Sequence, residues 1–155
     1  MNKILYILLI SFGFSAIAQT TLKEKLVMNI ENVWKKQLSS EAYQVLREKG
    51  TEPRYSGIYN LHFEKGHYNC KGCGEKLFDS TNKFESSCGW PSFDNALEDK
   101  IIENKDFSSG MVRTEIICSR CKGHLGHLFN DGPSETGLRY CVNSISLDFI
   151  EYDTE

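Results

Sequence analysis

Cys70-Lys71-Gly72-Cys73 and, well downstream, Cys118-Ser119-Arg120-Cys121 are two C-x-x-C pairs in a chain of six cysteines, and their reading decides the fold. Within such a pair the sulfurs are better set to grip one metal ion than to close a relaxed disulfide. Two pairs together supply the four thiolates of a closed tetrahedral zinc site. Each pair has a glycine close behind, Gly74 in one and Gly123 in the other, where positive φ would turn backbone amides toward metal-bound sulfur. Two hairpin-like knuckles are therefore expected, with Cys70, Cys73, Cys118 and Cys121 holding one structural Zn2+ between distant segments of a sheet. Structural zinc contributes on the order of 10 kcal/mol to folding, enough to decide whether a small domain folds. The competing reading is three structural disulfides, the ordinary use of six cysteines in an exported chain.

Around the knuckles the texture is that of antiparallel β structure: short runs rich in β-branched and aromatic residues, broken by Gly, Asn, Asp and Ser. Strands are expected over 57–63, 66–70, 111–118 and 139–149, and the charged stretch 94–110 reads as an exposed loop with a helical turn. Upstream, Leu22, Leu26, Val27, Ile30, Val33 and Trp34 recur at helical spacing and predict an amphipathic helix over 21–36, its apolar positions serving as packing residues. A shorter helix follows. Ser40 can cap it, Glu41 sits in its first turn, Val45 and Leu46 form its buried face, and Gly50 supplies a left-handed stop before Pro53.

Residues 1–18 read as a signal peptide, with Lys3 as the charged start, an apolar run, and Ala16-Ile17-Ala18 as the cleavage motif. The apolar run is shorter than the about 18 residues of a membrane span. Residues 19–38 would then be a helical extension and 39–150 one domain, exported to a periplasmic or secreted location, without stable membrane insertion once the signal is removed. The formal net charge is −3 and the lysines are scattered, which excludes the basic face that nucleic acid requires.

Two cysteines remain for chemistry. Cys141 stands between Arg139 and Asn143, and on a strand all three project from one face. A cation two residues away favours thiolate over thiol, and a thiolate is a nucleophile. The ordinary fate of a lone cysteine is an inert core position. Against that stand His124 and His127 in His124-Leu125-Gly126-His127, read as a glycine-containing turn bearing two general acids. Cys88-Gly89-Trp90-Pro91 adds a second thiol in a flexible turn beside an indole.

The double C-x-x-C, Gly89-Trp90-Pro91-Ser92-Phe93, His124-Leu125-Gly126-His127, Asp131-Gly132-Pro133 and Arg139-Tyr140-Cys141-Val142-Asn143-Ser144 occur in that order, and at these residues the chain resembles the B-type methionine sulfoxide reductases. The resemblance covers about residues 41–149. It implies an α+β fold, mainly antiparallel β, with two small sheets and the helices outside. It also implies reduction of methionine-R-sulfoxide in proteins, with Cys141 as nucleophile, Cys88 resolving the sulfenic acid as a disulfide, and a thioredoxin-like dithiol reductant recycling it. Trp90 and Phe93 would bind substrate, His124, His127 and Asn143 would assist at the sulfoxide oxygen, Arg139 would keep Cys141 ionised, and Asp131 would orient a histidine. A monomer is expected. Ser86-Ser87 departs from the Ser-Gly usual in the family and would stiffen the resolving turn. A non-catalytic zinc-binding interaction module is the other reading; it predicts bound metal without sulfoxide-dependent disulfide formation.

Overall fold

Helical periodicity in the N-terminal stretch produces helix α1, seen over residues 25–37 of the computed structural model, which describes residues 25–153. The expected signal peptide and the expected start of this helix lie outside the described residues. Leu26, Val27, Ile30 and Val33 are exposed on it. The described residues divide after Gln37 into two units. No helix among the described residues is long and apolar enough to cross a membrane.

The second unit begins with helix α2, Ser40–Leu46. Ser39, not Ser40, caps it, accepting the Ala42 N–H at 3.2 Å from an extended backbone that leaves the hydroxyl free to fold back. Ala42, Val45 and Leu46 are buried. The left-handed stop falls on Lys49 (φ 59) rather than Gly50, whose N–H instead closes on the Gln44 carbonyl at 2.9 Å.

Nine strands follow among the described residues: β1 Gly66–Cys70, β2 Lys76–Asp79, β3 Lys83–Phe84, β4 Ser92–Phe93, β5 Ile101–Asp106, β6 Arg113–Cys118, β7 His124–Phe129, β8 Arg139–Val142 and β9 Leu147–Glu151. They build two antiparallel sheets, ordered β2-β1-β9 and β3-β4-β8-β7-β6-β5. Segment 57–63 is not a strand, because β2 and β9 already occupy both edges of β1. It makes turns whose Tyr59 and His62 rings pack on Tyr68 and Phe149. Conversely, the charged stretch 94–110 contains β5, an edge strand paired in register with β6 from Ile101↔Cys118 to Asp106↔Arg113. Charge on such an edge keeps it from pairing with other chains.

The expected strand 139–149 is interrupted. A 3-10 turn at Ser144–Ser146 separates β8 from β9 and passes the chain from the larger sheet to the smaller. The core is aromatic at the sheets' meeting: Phe78 stacks on Phe93 with centroids 4.4 Å apart, and Tyr68 meets Phe93 edge-on at 5.0 Å. Ile116, Leu125, Val142 and Leu147 complete it, each such side chain contributing about 1.5–3 kcal/mol by burial.

Candidate active site

The knuckles meet as their spacing demanded. The sulfurs of Cys70, Cys73, Cys118 and Cys121 all lie within 4.8 Å of one another. Cys70 to Cys121 is 3.6 Å and Cys73 to Cys118 is 3.7 Å, close to the about 3.8 Å edge of a tetrahedron with metal–sulfur bonds of about 2.3 Å. These contacts are far beyond the about 2 Å of a disulfide, and all six cysteines are free. The four-sulfur set therefore fits a tetrahedral soft-metal site, and the three-disulfide reading fails. Gly74 has the expected positive φ of 74, but in the second knuckle Lys122 takes that conformation (φ 61). Gly123 serves another purpose: a side chain there would strike Leu46 of α2.

The other two cysteines find each other. Cys88 Sγ lies 3.7 Å from Cys141 Sγ, and also contacts Ser92 Oγ and the Trp90 carbonyl, each at 3.4 Å. Pairing Ser92↔Cys141 between β4 and β8, and His127↔Cys141 between β7 and β8, sets Cys141 in a row of side chains crossing the sheet. The row continues through Glu115, opposite His127 on β6.

Proton affinity divides the two thiols, with Arg139 acting on Cys141 in the expected direction. Cys88 is pulled down to about 4 by the hydrogen bond from Cys141, against burial and with help from Ser86 and Ser92. Cys141 is pushed up by that same bond and by burial, with Arg139 opposing. While the sulfurs touch, their contact favours the negative charge on Cys88, with the Arg139 charge pulling toward Cys141. Arg139 in turn is held by Asp131 through a bidentate pair at 2.8 and 2.9 Å, so Asp131 orients an arginine rather than a histidine.

The histidines lie on β7, not in a turn. A bulge opposite Ile116/Ile117 lets His124 and His127, three residues apart, share a face, with ring centroids 5.5 Å apart. Each imidazole has its own carboxylate: His124 Nδ1 to Glu115 Oε1 at 2.8 Å, and His127 Nε2 to Asp106 Oδ2 at 2.8 Å. Glu115 is further bonded by Lys49 at 2.8 Å and Asp106 by Arg113 at 2.7 Å. Burial lowers the proton affinity of His124, whose Nε2 is left without a protein partner. These two acids were missed in the sequence; only knowledge of the register between β5, β6 and β7 could have paired them.

Asn143 lies past the end of β8 and is buried. Its Nδ2 donates to the Leu125 carbonyl at 3.0 Å and its Oδ1 accepts the Glu52 N–H at 3.0 Å, so both ends brace neighbouring chain. Trp90 donates its indole N–H to the Glu52 carbonyl at 3.2 Å. A cavity of about 120 Å³ is lined by Cys141, Trp90, His127, Asn143, Phe129 and Arg113 among others. It shares Thr51, Arg113 and His127 with a polar cavity of about 370 Å³ that holds His124, Glu115 and Asp106. Cys88 and Arg139 line a separate groove with Ser86, Ser87 and Asp131. Phe93 is not in any of these: it is fully buried and stacked on Phe78, on the face of β4 opposite Ser92, and belongs to the core instead of contacting substrate.

Two free thiols in contact, neither drawn into the four-sulfur cluster, give the fold the side chains of a thiol-dependent oxidoreductase. Comparison with known proteins sharpens the class. The SelR domain family matches residues 38–151. The chain is 50% identical over 131 residues to the peptide methionine sulfoxide reductase MsrB of Bradyrhizobium diazoefficiens, covering 84% of this chain and 94% of that one. It is 52% identical over 128 residues to that of Pseudomonas savastanoi pv. phaseolicola (82% and 97%), and 55% over 117 residues to that of Leptospira interrogans (75% and 89%). A solved Mis18 "Yippee-like" domain covers 59% of this chain at TM-score 0.48 and 19% identity, too partial a likeness to define fold or activity. The chain belongs to the MsrB family of peptide methionine sulfoxide reductases.

Proposed function

We propose that this protein, a peptide-methionine (R)-S-oxide reductase, works through Cys141 and Cys88 in turn. The observation that carries the reading is the 3.7 Å contact between two free thiols that open to different sides, Cys141 into the cavity with Trp90 and His127, and Cys88 into the groove with Arg139. The sulfoxide side chain enters the cavity against Trp90. Passing the shared proton to Cys88 leaves the anion on Cys141, where the Arg139 charge favours it. Sulfoxide sulfur is a poor electrophile until its oxygen is protonated, so His127 or His124 supplies the proton as Cys141 attacks. Attack forms a bond from Cys141 sulfur to the sulfoxide sulfur; transfer of the protonated oxygen to Cys141 then breaks that bond and the methionine sulfur–oxygen bond, so methionine leaves two electrons richer and Cys141 holds a sulfenic acid.

Cys88 then attacks that sulfur. The Cys141 sulfur–oxygen bond breaks, the oxygen departs as water, and a Cys88–Cys141 disulfide remains, which keeps Cys141 from irreversible oxidation. A thioredoxin-like dithiol restores both thiols by exchange, reaching the Cys88 sulfur from its own groove. Zn2+ fits the four knuckle cysteines, where it would staple β1 and its turn to the turn joining β6 to β7 and take no part in the electron transfer. Export through residues 1–18 and a monomeric state complete the proposal.

The test follows methionine released from separate R and S sulfoxide peptides. Wild type should turn over the R epimer only and Cys141→Ser neither. Cys88→Ser should release about one methionine per chain and then stall with the dithiol reductant. Turnover of the R epimer by Cys141→Ser would end the proposal.

A further inference from the structure

The turn that carries Cys88 is held from outside by two side chains with no part in the electron transfer. Arg54 donates Nε to the Cys88 carbonyl at 2.7 Å and its terminal nitrogen to the Ser87 carbonyl at 2.5 Å. Tyr55 donates its hydroxyl to the same Ser87 carbonyl at 2.9 Å and its backbone N–H to the Gly89 carbonyl at 2.9 Å. Three consecutive carbonyls around the thiol are thus taken by one dipeptide. Tyr55 does this from a left-handed backbone (φ 66), which a bulky residue adopts only where its surroundings hold it, and such outliers gather where position matters for function. The Arg54 guanidinium lies over the Tyr55 ring at 4.9 Å, ordering the two side chains together. Gly89 (φ 87) lets the turn come this close, since a side chain there would strike Arg54 Cγ.

The same stretch of chain also reaches the segment that follows β8, the strand bearing the other thiol. Glu52 accepts the N–H groups of Ser144 at 2.6 Å and Ile145 at 3.0 Å on its carboxylate, and its own N–H donates to Asn143. Residues 52–55 therefore strap the segment following the Cys141 strand to the turn bearing Cys88.

We propose that Arg54 and Tyr55 are positioning residues for the resolving step, a latch that keeps Cys88 sulfur against Cys141 while the sulfenic acid exists. The inference rests on the two-thiol reading above. In the step concerned, Cys88 sulfur bonds to Cys141 sulfur, the sulfenic sulfur–oxygen bond breaks, and the oxygen leaves as water with a proton. The latch adds no electrons or protons; it raises the effective concentration of one thiol at the other. Without it, the sulfenic acid lives longer and meets outside oxidants.

Rapid-quench measurement on the full chain, mixed with excess methionine-R-sulfoxide peptide and no reductant, separates the two steps by counting methionine released and thiols lost. Arg54→Ala should keep the wild-type methionine burst while disulfide formation slows about tenfold, Tyr55→Phe should slow it by about threefold, and Arg54→Lys should recover part of the rate. In Arg54→Ala, dimedone should trap Cys141 sulfenic acid that wild type does not accumulate. Disulfide formation at the wild-type rate beside an intact burst would overturn the latch, as would a burst slowed in step with the disulfide. A wild type without a burst would overturn the two-thiol reading instead.

Discussion

Cys88 and Cys141 are the same residue with opposite proton affinities, because a thiol pair in contact holds one proton and the less buried sulfur keeps the negative charge more cheaply. Cys88 falls to about 4, so its thiolate persists at neutral pH and is lost only as pH drops through that value. Removing Cys88 takes away the first cause that raises Cys141, leaving Arg139 to act against burial alone. In Cys88→Ser the apparent pKa of Cys141 should therefore be lower than in wild type, as read by the pH dependence of its alkylation in mass spectrometry. Glu115 is held ionised although burial opposes it, because Lys49 and His124 both bond to it. Its bond to Nδ1 fixes the ring and leaves the buried Nε2 of His124 without a protein partner, the nitrogen that would carry a proton in the proposed reaction. Glu115→Gln should cut methionine release about 10–100-fold in kcat, less than the full share of a general acid, with KM little changed.

At the scale of elements, the site exists because β7 is irregular. A regular strand would set His124 and His127 on opposite faces, and the bulge opposite Ile116/Ile117 brings them together. Gly126, inside that bulge, packs so tightly on β8 that a Cβ would lie 2.0 Å from the Cys141 carbonyl oxygen. Gly126→Ala should destabilise by about 1–3 kcal/mol, seen in the denaturant midpoint, and should depress turnover further by moving His127 off Cys141. The residue-pattern reading had put these histidines in a turn, since a glycine between them suggests one. That glycine marks close approach of two strands, which only the partner strand reveals.

Across the whole second unit, the knuckles tie the turn after β1 in the smaller sheet to the β6–β7 turn in the larger. Besides the sulfurs, Arg120 joins those turns through exposed contacts, to the Cys73 carbonyl at 3.4 Å and to Glu75 at 3.6 Å, which contribute little in water, so loss of a ligand should be felt globally. Cys118→Ser should lose the bound zinc, about one ion per chain by metal analysis in wild type, and with it a large part of the on the order of 10 kcal/mol such a site contributes to folding. Its unfolding should become broad or complete at room temperature, and activity should fall with it. Retained cooperative unfolding without metal would remove the staple from the account of stability.

The residues alone determined the chemistry on offer: four cysteines in C-x-x-C spacing for a metal, two cysteines outside it, and imidazoles and an indole in motifs short enough to be read locally. They also marked β1 correctly, because a strand's alternation is written in adjacent residues. Tertiary structure decided the rest. It gave Asp131 to Arg139 and left Glu115 and Asp106 for the histidines, sent Phe93 into the core, cut 139–149 into strands of different sheets, and brought Cys88 against Cys141. Those outcomes depend on cross-strand register and on burial, and both are set by partners far away in the chain, beyond the reach of spacing along it.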